Sequence, residues 1–146
     1  MQVQAKDIMT PRVECVSPET PIRDVAQLMK VHDVGFLPVL DNDRLVGTVT
    51  DRDIVLRVVA DAKDVEYTKT RDAMTNEVIW CYEDQSIDEV ADVMAKEEIR
   101  RILILNHAKR PVGVLSIGDL AQAGGQQRTA GETIKEIAKA PPAKAA

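Results

Sequence analysis

The sequence predicts an α/β (α+β) fold made of two copies of one β-α-β-β-α unit. The first observation is an internal repeat, in which Asp7-Ile8-Met9-Thr10 returns 65 positions later as Asp72-Ala73-Met74-Thr75. The second is that each copy carries apolar residues at helical spacing, followed by two β-prone runs separated by a polar turn. The helical stripes are Ile22, Val25, Ala26 and Met29 in the first copy, and Ile87, Val90, Ala91 and Met94 in the second.

The elements of each copy follow in the same order. Thr20-Pro21 places a capping hydroxyl before a proline at the first helical position. Ser86-Ile87-Asp88-Glu89 fits a capping box at the matching point of the second copy. For the first copy we expect a strand from Val13 to Val16, a helix from Ile22, strands from Phe36 to Leu40 and from Leu45 to Thr50, and a helix from Asp51 to Ala60. For the second we expect a strand from Val78 to Tyr82, a helix from Ile87, strands from Ile102 to Leu105 and from Val112 to Ser116, and a helix from Ile117 to Ala123.

One such unit is too small to bury both its sheet and its helical stripes. We therefore expect the two copies to pack face to face with pseudo-twofold symmetry. The charged segment from Asp61 to Arg71 is interpreted as a linker. The predicted domains are residues 6–64, residues 65–123 and a partly disordered tail over 124–146, in which Thr133 to Lys139 could form a short helix.

Composition excludes several classes of protein. A net charge of −5 with 3% aromatic residues argues against nucleic-acid binding, which needs a basic face and stacking rings. No apolar run is long enough for a membrane span, and the first residues carry no signal peptide, so a cytoplasmic location is expected. Cys15, Cys81, His32 and His107 lack metal-ligand spacing, which predicts no metal site. No catalytic triad, P-loop or Rossmann motif is present, so we expect no catalytic residues and no enzymatic activity.

A hydroxyl and a carboxylate recur one helical turn apart in both copies. Thr50 and Ser116 each end a predicted strand and begin a helix, where free N–H groups attract phosphate. Asp53 and Asp119 can accept hydrogen bonds from a cis-diol, as acidic residues do in dinucleotide sites. The duplication of this pattern favours a ligand site.

Two features of the pattern admit further interpretation. Gly47 and Gly113, three residues before each hydroxyl, would let a ligand approach the backbone closely. The hydroxyl-carboxylate spacing is also that of a helix-capping box. One residue pair can cap the helix when the site is empty and bind when it is filled, so both interpretations stay open.

The duplicated motifs resemble the CBS domain, a regulatory module found in tandem pairs. In the first copy the resemblance rests on Asp7-Ile8-Met9-Thr10-Pro11, on Leu37-Pro38-Val39 and on the run from Gly47 to Ile54. In the second it rests on Ala73-Met74-Thr75 and the run from Gly113 to Leu120. The matching region extends from about Lys6 to Ala123 and is similar to small stand-alone bacterial and archaeal CBS-pair proteins.

The resemblance implies two clefts between the domains that bind AMP, ADP or ATP, or instead NAD or S-adenosylmethionine, and no other cofactor. By the family pattern the hydroxyl meets phosphate and the aspartate holds the ribose, and apolar residues of the opposite repeat line the adenine slot. Basic residues before the third strand meet phosphate in the family; in isolation the same arginines would be surface ion pairs of little energetic weight. The implied binding residues are Thr50, Asp53, Ser116, Asp119, Arg100, Arg101, Thr10, Val13, Cys15, Thr75, Val78 and Ile79.

The resemblance implies a non-catalytic nucleotide sensor that forms a homodimer and signals to an unidentified protein effector. A dimerising scaffold without a ligand is the alternative. The first copy has Gly35-Phe36 where the second has Arg100-Arg101, and Arg52 is replaced by Gly118. We therefore expect the two clefts to differ in affinity or in ligand.

Overall fold

The computed structural model describes residues 2–123 and divides the chain into two compact units. The central unit comprises residues 13–78, and the terminal unit combines residues 2–12 with residues 79–123 of the described chain. The predicted tail over 124–146, with its short helix, lies outside the described residues. The elements in chain order are α1 (Ala5–Ile8), β1 (Thr10–Pro11), α2 (Ile22–His32), β2 (Phe36–Asp41), β3 (Arg44–Thr50), α3 (Asp51–Ile54), β4 (Trp80–Tyr82), α4 (Ile87–Glu97), β5 (Arg101–Leu105), β6 (Pro111–Ser116) and α5 (Ile117–Ala121).

The terminal unit is built on a four-stranded sheet in the order β1-β6-β5-β4. β6 pairs antiparallel with both β1 and β5, while β4 pairs parallel with β5. The apolar stripe of α4 packs on this sheet, and the buried Ala5 of α1 belongs to the same core. Residues from the start of the chain therefore complete the sheet and core of the second repeat.

The central unit repeats this plan with residues from the start of the second copy. β2 and β3 pair antiparallel, Thr75 bridges Thr48 of β3, and Val16 bridges Val39 of β2. Ala73 is fully buried in the core of this unit, beside the stripe of α2. Both Asp-x-Met-Thr segments, residues 7–10 and 72–75, thus pack on the sheet of the other repeat. We call them the exchanged segments. The repeat pattern did not predict this exchange.

Two copies of one element order in a mixed α/β structure confirm the predicted fold class. The long helices begin at Ile22 and Ile87, where the apolar stripes begin. Ser86 caps α4 as expected, because its hydroxyl accepts the Glu89 N–H at 3.2 Å. The Thr20 cap is wrong: Pro21 is the N-cap of α2, and the Thr20 hydroxyl accepts the Ser17 N–H instead.

The first predicted strand, from Val13 to Val16, is reduced to a single bridge. The Val16 N–H donates to the Pro38 carbonyl, and the Leu40 N–H donates to the Val16 carbonyl. The next rung of a parallel ladder would need an N–H on Pro38, which proline does not have. The second copy has Leu103 at that position, and there the strand forms as β4.

The closing helix of the first copy also departs from a regular α-helix. α3 continues as a π-helical stretch over Val55–Val59, within the predicted range from Asp51 to Ala60. The predicted linker contains turns at residues 61–62 and 65–67, and it ends in a 3-10 turn over Thr70–Asp72. No helix among residues 2–123 is long and apolar enough to cross a membrane.

Candidate ligand-binding sites

The first candidate site is the Thr50 site, formed by Thr50, Asp53 and Thr75 in the central unit. The Asp53 N–H donates to Thr50 Oγ1 and the Thr50 N–H donates to Asp53 Oδ2, both at 3.0 Å. The pair therefore forms the capping box that the spacing also predicts. The Thr75 hydroxyl lies 3.4 Å from Asp53 Oδ1, so a residue of the exchanged segment reaches the same carboxylate.

The second candidate site is the Ser116 site, formed by Ser116, Asp119 and Thr10 in the terminal unit. The Ser116 N–H donates to Asp119 Oδ2 at 2.8 Å, and the Asp119 N–H donates to Ser116 Oγ at 3.2 Å. Thr10 pairs with Val114 of β6, just as Thr75 pairs with Thr48 in the other unit. The two capping boxes have the same geometry, and each stands next to the exchanged segment of the other repeat.

Both carboxylates keep acceptor capacity after capping. A carboxylate offers about four lone-pair positions; the helix cap uses one on each aspartate, and the Thr75 hydroxyl takes a second on Asp53. Asp53 and Asp119 are both half-buried, which leaves part of each side chain accessible. The hydroxyl and carboxylate can therefore cap their helix and still accept hydrogen bonds from a diol.

The free N–H groups expected at the two helix starts are partly occupied. The Asp51 N–H donates to the Gly35 carbonyl, and the Ile117 N–H donates to the Arg100 carbonyl. The Arg52 N–H donates to the Asp51 carboxylate at 2.8 Å. Phosphate recognition would depend on side chains more than on open backbone groups.

Gly47 and Gly113, the glycines before each hydroxyl, leave room for the exchanged segments to pack closely. A Cβ on Gly47 would stand 2.5 Å from the Thr75 carbonyl oxygen, and one on Gly113 would stand 2.4 Å from Met9 Sδ and 2.9 Å from the Thr10 carbonyl oxygen. The close backbone approach predicted there is thus made by the protein chain itself, because each glycine position faces an exchanged segment.

Arg57 is a residue of the Thr50 site that the motif analysis missed. Its guanidinium donates to the carbonyls of Ala73 and Met74 at 2.9 and 3.0 Å, and it lies 3.7 Å from Asp53 Oδ1. Arg57 therefore fastens the exchanged segment to the site carboxylate. At the offset of 66 that relates Gly47 to Gly113, the position in the second copy that matches Arg57 is Ala123. This difference between the copies was the sequence signal for Arg57.

Arg100 and Arg101 lie at the start of β5, beside the Ser116 site. Arg101 is the antiparallel partner of Ser116, and Arg100 supplies the carbonyl that accepts the Ile117 N–H. Both side chains are exposed, and neither forms an ion pair within 4.0 Å with any residue of the described chain. The surface ion pairs considered above are therefore not formed by these arginines in residues 2–123.

The remaining predicted lining residues fall in two different units. Val13, Cys15 and Val78 are half-buried in the central unit, and Ile79 packs against the core of the terminal unit. Cys15 Sγ donates to the Val13 carbonyl at 3.6 Å. Burial of this thiol, and to a smaller extent the negative charge of Glu14, raises its pKa to about 11. Their role in lining an adenine slot stays a prediction.

Within residues 2–123, no three His, Cys, Asp or Glu side chains are grouped so that they could hold a metal ion. His107 instead pairs with Asp84 at 2.8 Å and stacks on Tyr82 with ring centroids 4.4 Å apart.

Several known proteins match most of this chain. CBS domain-containing protein YhcV of Bacillus subtilis is 36% identical over 132 residues, covering 90% of this chain and 93% of its own. The crystal structure of Hypoxic Response Protein I with two coordinated zinc ions has a TM-score of 0.70 at 33% identity, covering 82% of this chain and 98% of that one. The curated Hypoxic response protein 1 of Mycobacterium tuberculosis is 34% identical, with 81% of this chain and 82% of its own covered.

A third relative was solved with adenosyl ligands. The CBS domain pair of protein MJ0100, in complex with 5-methylthioadenosine and S-adenosyl-L-methionine, has a TM-score of 0.72 at 26% identity. The match covers 87% of this chain and 99% of that one. The family model of the CBS domain matches twice, over residues 5–60 and 70–125. The chain therefore belongs to the CBS domain family, as a tandem pair.

Proposed function

We propose that this chain is a non-catalytic sensor that binds an adenosine-containing ligand at the Thr50 and Ser116 sites and passes the signal to a protein effector. The leading ligands are AMP, ADP and ATP; NAD and S-adenosylmethionine share the same adenosine chemistry. The ligand would act by shifting the balance between conformations that the protein already populates. No further cofactor is required.

The observation that carries this proposal is the duplicated hydroxyl-carboxylate pair. The hydrogen bonds between Thr50 and Asp53 match those between Ser116 and Asp119, whereas the charged residues around the two pairs differ between the copies. Each aspartate retains acceptor positions that fit ribose hydroxyls. The adenosyl ligands of the MJ0100 domain pair support the same ligand class for this chain.

The proposal is tested by a thermal-shift panel of adenosine compounds. A ligand at about 100 times its dissociation constant stabilises the folded state by about 2.7 kcal/mol. For a chain of this size that corresponds to a rise of about 5–10 °C in the melting temperature. A panel of AMP, ADP, ATP, NAD and S-adenosylmethionine that produces no shift would refute the sensor.

The variants Asp53→Ala and Asp119→Ala place the effect at the sites. For any one ligand at least one of these variants should reduce the ligand-induced shift, and the double variant should remove all of it. Asp92→Ala, on the exposed face of α4, is the matched control and should leave the shift unchanged. A full ligand response in the double variant would show that the ligand binds elsewhere.

We also propose that the chain forms a homodimer through exposed apolar side chains of the central unit. Val31 is 75% exposed and Val59 is 60% exposed, and α2 packs against α3 within this unit. Contiguous exposed apolar groups mark interaction surfaces, and these side chains lie on or next to helical segments that pack together. The exposed set on α2, just after it and on the π-helical stretch that follows α3 is Val31, Val34, Val55, Leu56 and Val59.

The same surface supports the alternative function, a dimerising scaffold that needs no ligand. Leu56→Glu should convert the dimer to a monomer in analytical ultracentrifugation, because it buries a charge in an apolar contact. Gln122→Glu, at the matching position of the second copy, is the control. If effector binding needs the dimer but ignores both aspartate variants, the scaffold is supported and the sensor is not.

A further inference from the structure

The two candidate sites differ at the residue directly opposite each hydroxyl. Phe36 of β2 is the antiparallel partner of Thr50, whereas Arg101 of β5 is the partner of Ser116. Side chains directly opposite in an antiparallel pair lie on the same face of the sheet, about 5 Å apart at their Cβ atoms. Phe36 therefore shares a sheet face with the Thr50 hydroxyl, and Arg101 shares a sheet face with the Ser116 hydroxyl.

The residue that follows each hydroxyl differs in the same sense. Asp51 follows Thr50 and carries an exposed carboxylate, which accepts the neighbouring Arg52 N–H. Ile117 follows Ser116 and carries no charge. A negative charge thus adjoins the Thr50 site and has no counterpart at the Ser116 site.

The other charged groups do not reverse this difference. Arg52 is exposed, and Arg57 directs its guanidinium to the backbone carbonyls of the exchanged segment. Over the matched positions 35, 36, 50–53 and 57 the formal charge is zero, and over 100, 101, 116–119 and 123 it is +1. The Ser116 site therefore carries one more formal positive charge than the Thr50 site, where Arg52 offsets the charge of Asp51.

We infer that the two sites divide the proposed ligands by charge. The Ser116 site takes a phosphate-bearing adenine nucleotide, because Arg101 offers a planar fork that suits phosphate oxygens. The Thr50 site takes an adenosyl compound without phosphate, because Phe36 stands where the Ser116 site has Arg101 and its ring favours an apolar or cationic group. Arg101 and Phe36 are the specificity-determining residues, and the inference rests on the proposed function.

The test measures ATP and 5-methylthioadenosine binding calorimetrically in two variants that each keep one intact site. Asp53→Ala retains the Ser116 site and should bind ATP more tightly than the thioether. Asp119→Ala retains the Thr50 site and should show the opposite preference. Increasing salt should weaken ATP binding to Asp53→Ala more than thioether binding to Asp119→Ala, because exposed charge interactions are screened.

Exchanging the specificity residues should move the preference. Arg101→Phe in the Asp53→Ala background should weaken ATP binding about tenfold, the value of one charge-assisted hydrogen bond, and leave thioether binding nearly unchanged. Phe36→Arg in the Asp119→Ala background should strengthen ATP binding by a similar factor. Arg44→Ala, an exposed arginine at the other end of β3, is the control and should change neither constant.

The outcomes separate this inference from the proposed function. Equal ATP-to-thioether ratios in the two single-site variants overturn the division by charge while leaving an adenosine sensor in place. Unchanged ratios after the Arg101 and Phe36 exchanges do the same, provided that melting temperatures show intact folding. Absence of binding by any adenosine compound to the unmodified protein overturns both.

Discussion

Replacing Gly47 by alanine should loosen the central unit, because the added methyl group has no room. The new Cβ would stand 2.5 Å from the Thr75 carbonyl oxygen, closer than real Cβ contacts come. That oxygen must retreat by at least about half an ångström, and it belongs to backbone, which cannot rotate away as a side chain would. Its hydrogen bond from the Thr48 N–H, at 2.9 Å, and the return bond at 2.8 Å are both strained by the movement.

The cost follows from these contacts. Two weakened backbone hydrogen bonds account for about 1–3 kcal/mol, and overpacking in a close-packed region adds about 1–3 kcal/mol. We expect Gly47→Ala to lower the free energy of unfolding by about 2–6 kcal/mol. For a chain of this length, that lowers the melting temperature by roughly 5–15 °C.

Urea unfolding followed by circular dichroism measures this change. Gly118→Ala is the matched control, because its Cβ would meet only Ser116 Oγ at an ordinary 3.5 Å. Alanine in place of glycine within a helix should be neutral or stabilising by up to about 1 kcal/mol. If Gly47→Ala were as stable as the unmodified protein, the exchanged segment would not pack on β3 as described.

Three further results are expected. Arg57→Met should destabilise the protein by about 1–3 kcal/mol in urea unfolding, since the carbonyls of Ala73 and Met74 lose a charged donor. Arg57→Lys should recover only part of the loss. The hydrogen bond from His107 lowers the pKa of Asp84, so the stability it contributes is present above the unfolded value of 3.8 and is lost as the pH falls through the lower folded value; the difference between Asp84→Asn and the unmodified protein should vanish in acid unfolding curves. Burial raises the pKa of Cys15 and of Cys81 to about 11, so both thiols should react slowly with a disulfide reagent at pH 8 and rapidly after denaturation.

Most of what could be predicted about the fold came from the internal repeat of the sequence. The apolar stripes that begin at Ile22 and Ile87 predicted both long helices correctly, because apolar residues at helical spacing form one face that packs on the core. The strand lost at Val13 to Val16 depended on Pro38, more than twenty residues away. A local β-prone run cannot show whether its partner strand offers the N–H groups that it needs.

The exchange of the Asp-x-Met-Thr segments lay beyond local reasoning. Adjacent repeats give no sign of which sheet a short segment joins, since that choice depends on tertiary packing. Gly47 and Gly113 were the one visible signal, because both face the backbone of an exchanged segment. The role of Arg57 could not be predicted for the same reason, because the carbonyls to which it donates, those of Ala73 and Met74, belong to the other repeat along the chain.

A crystal structure of the protein with a bound adenosine ligand tests the central claim most directly. The measured quantity is the distance from the ribose hydroxyl oxygens to the carboxylates of Asp53 and Asp119. We predict hydrogen bonds of about 2.5–3.0 Å to at least one of these carboxylates, while its capping box is kept. A ligand bound elsewhere, with both aspartates capping their own helices and nothing more, would contradict the account.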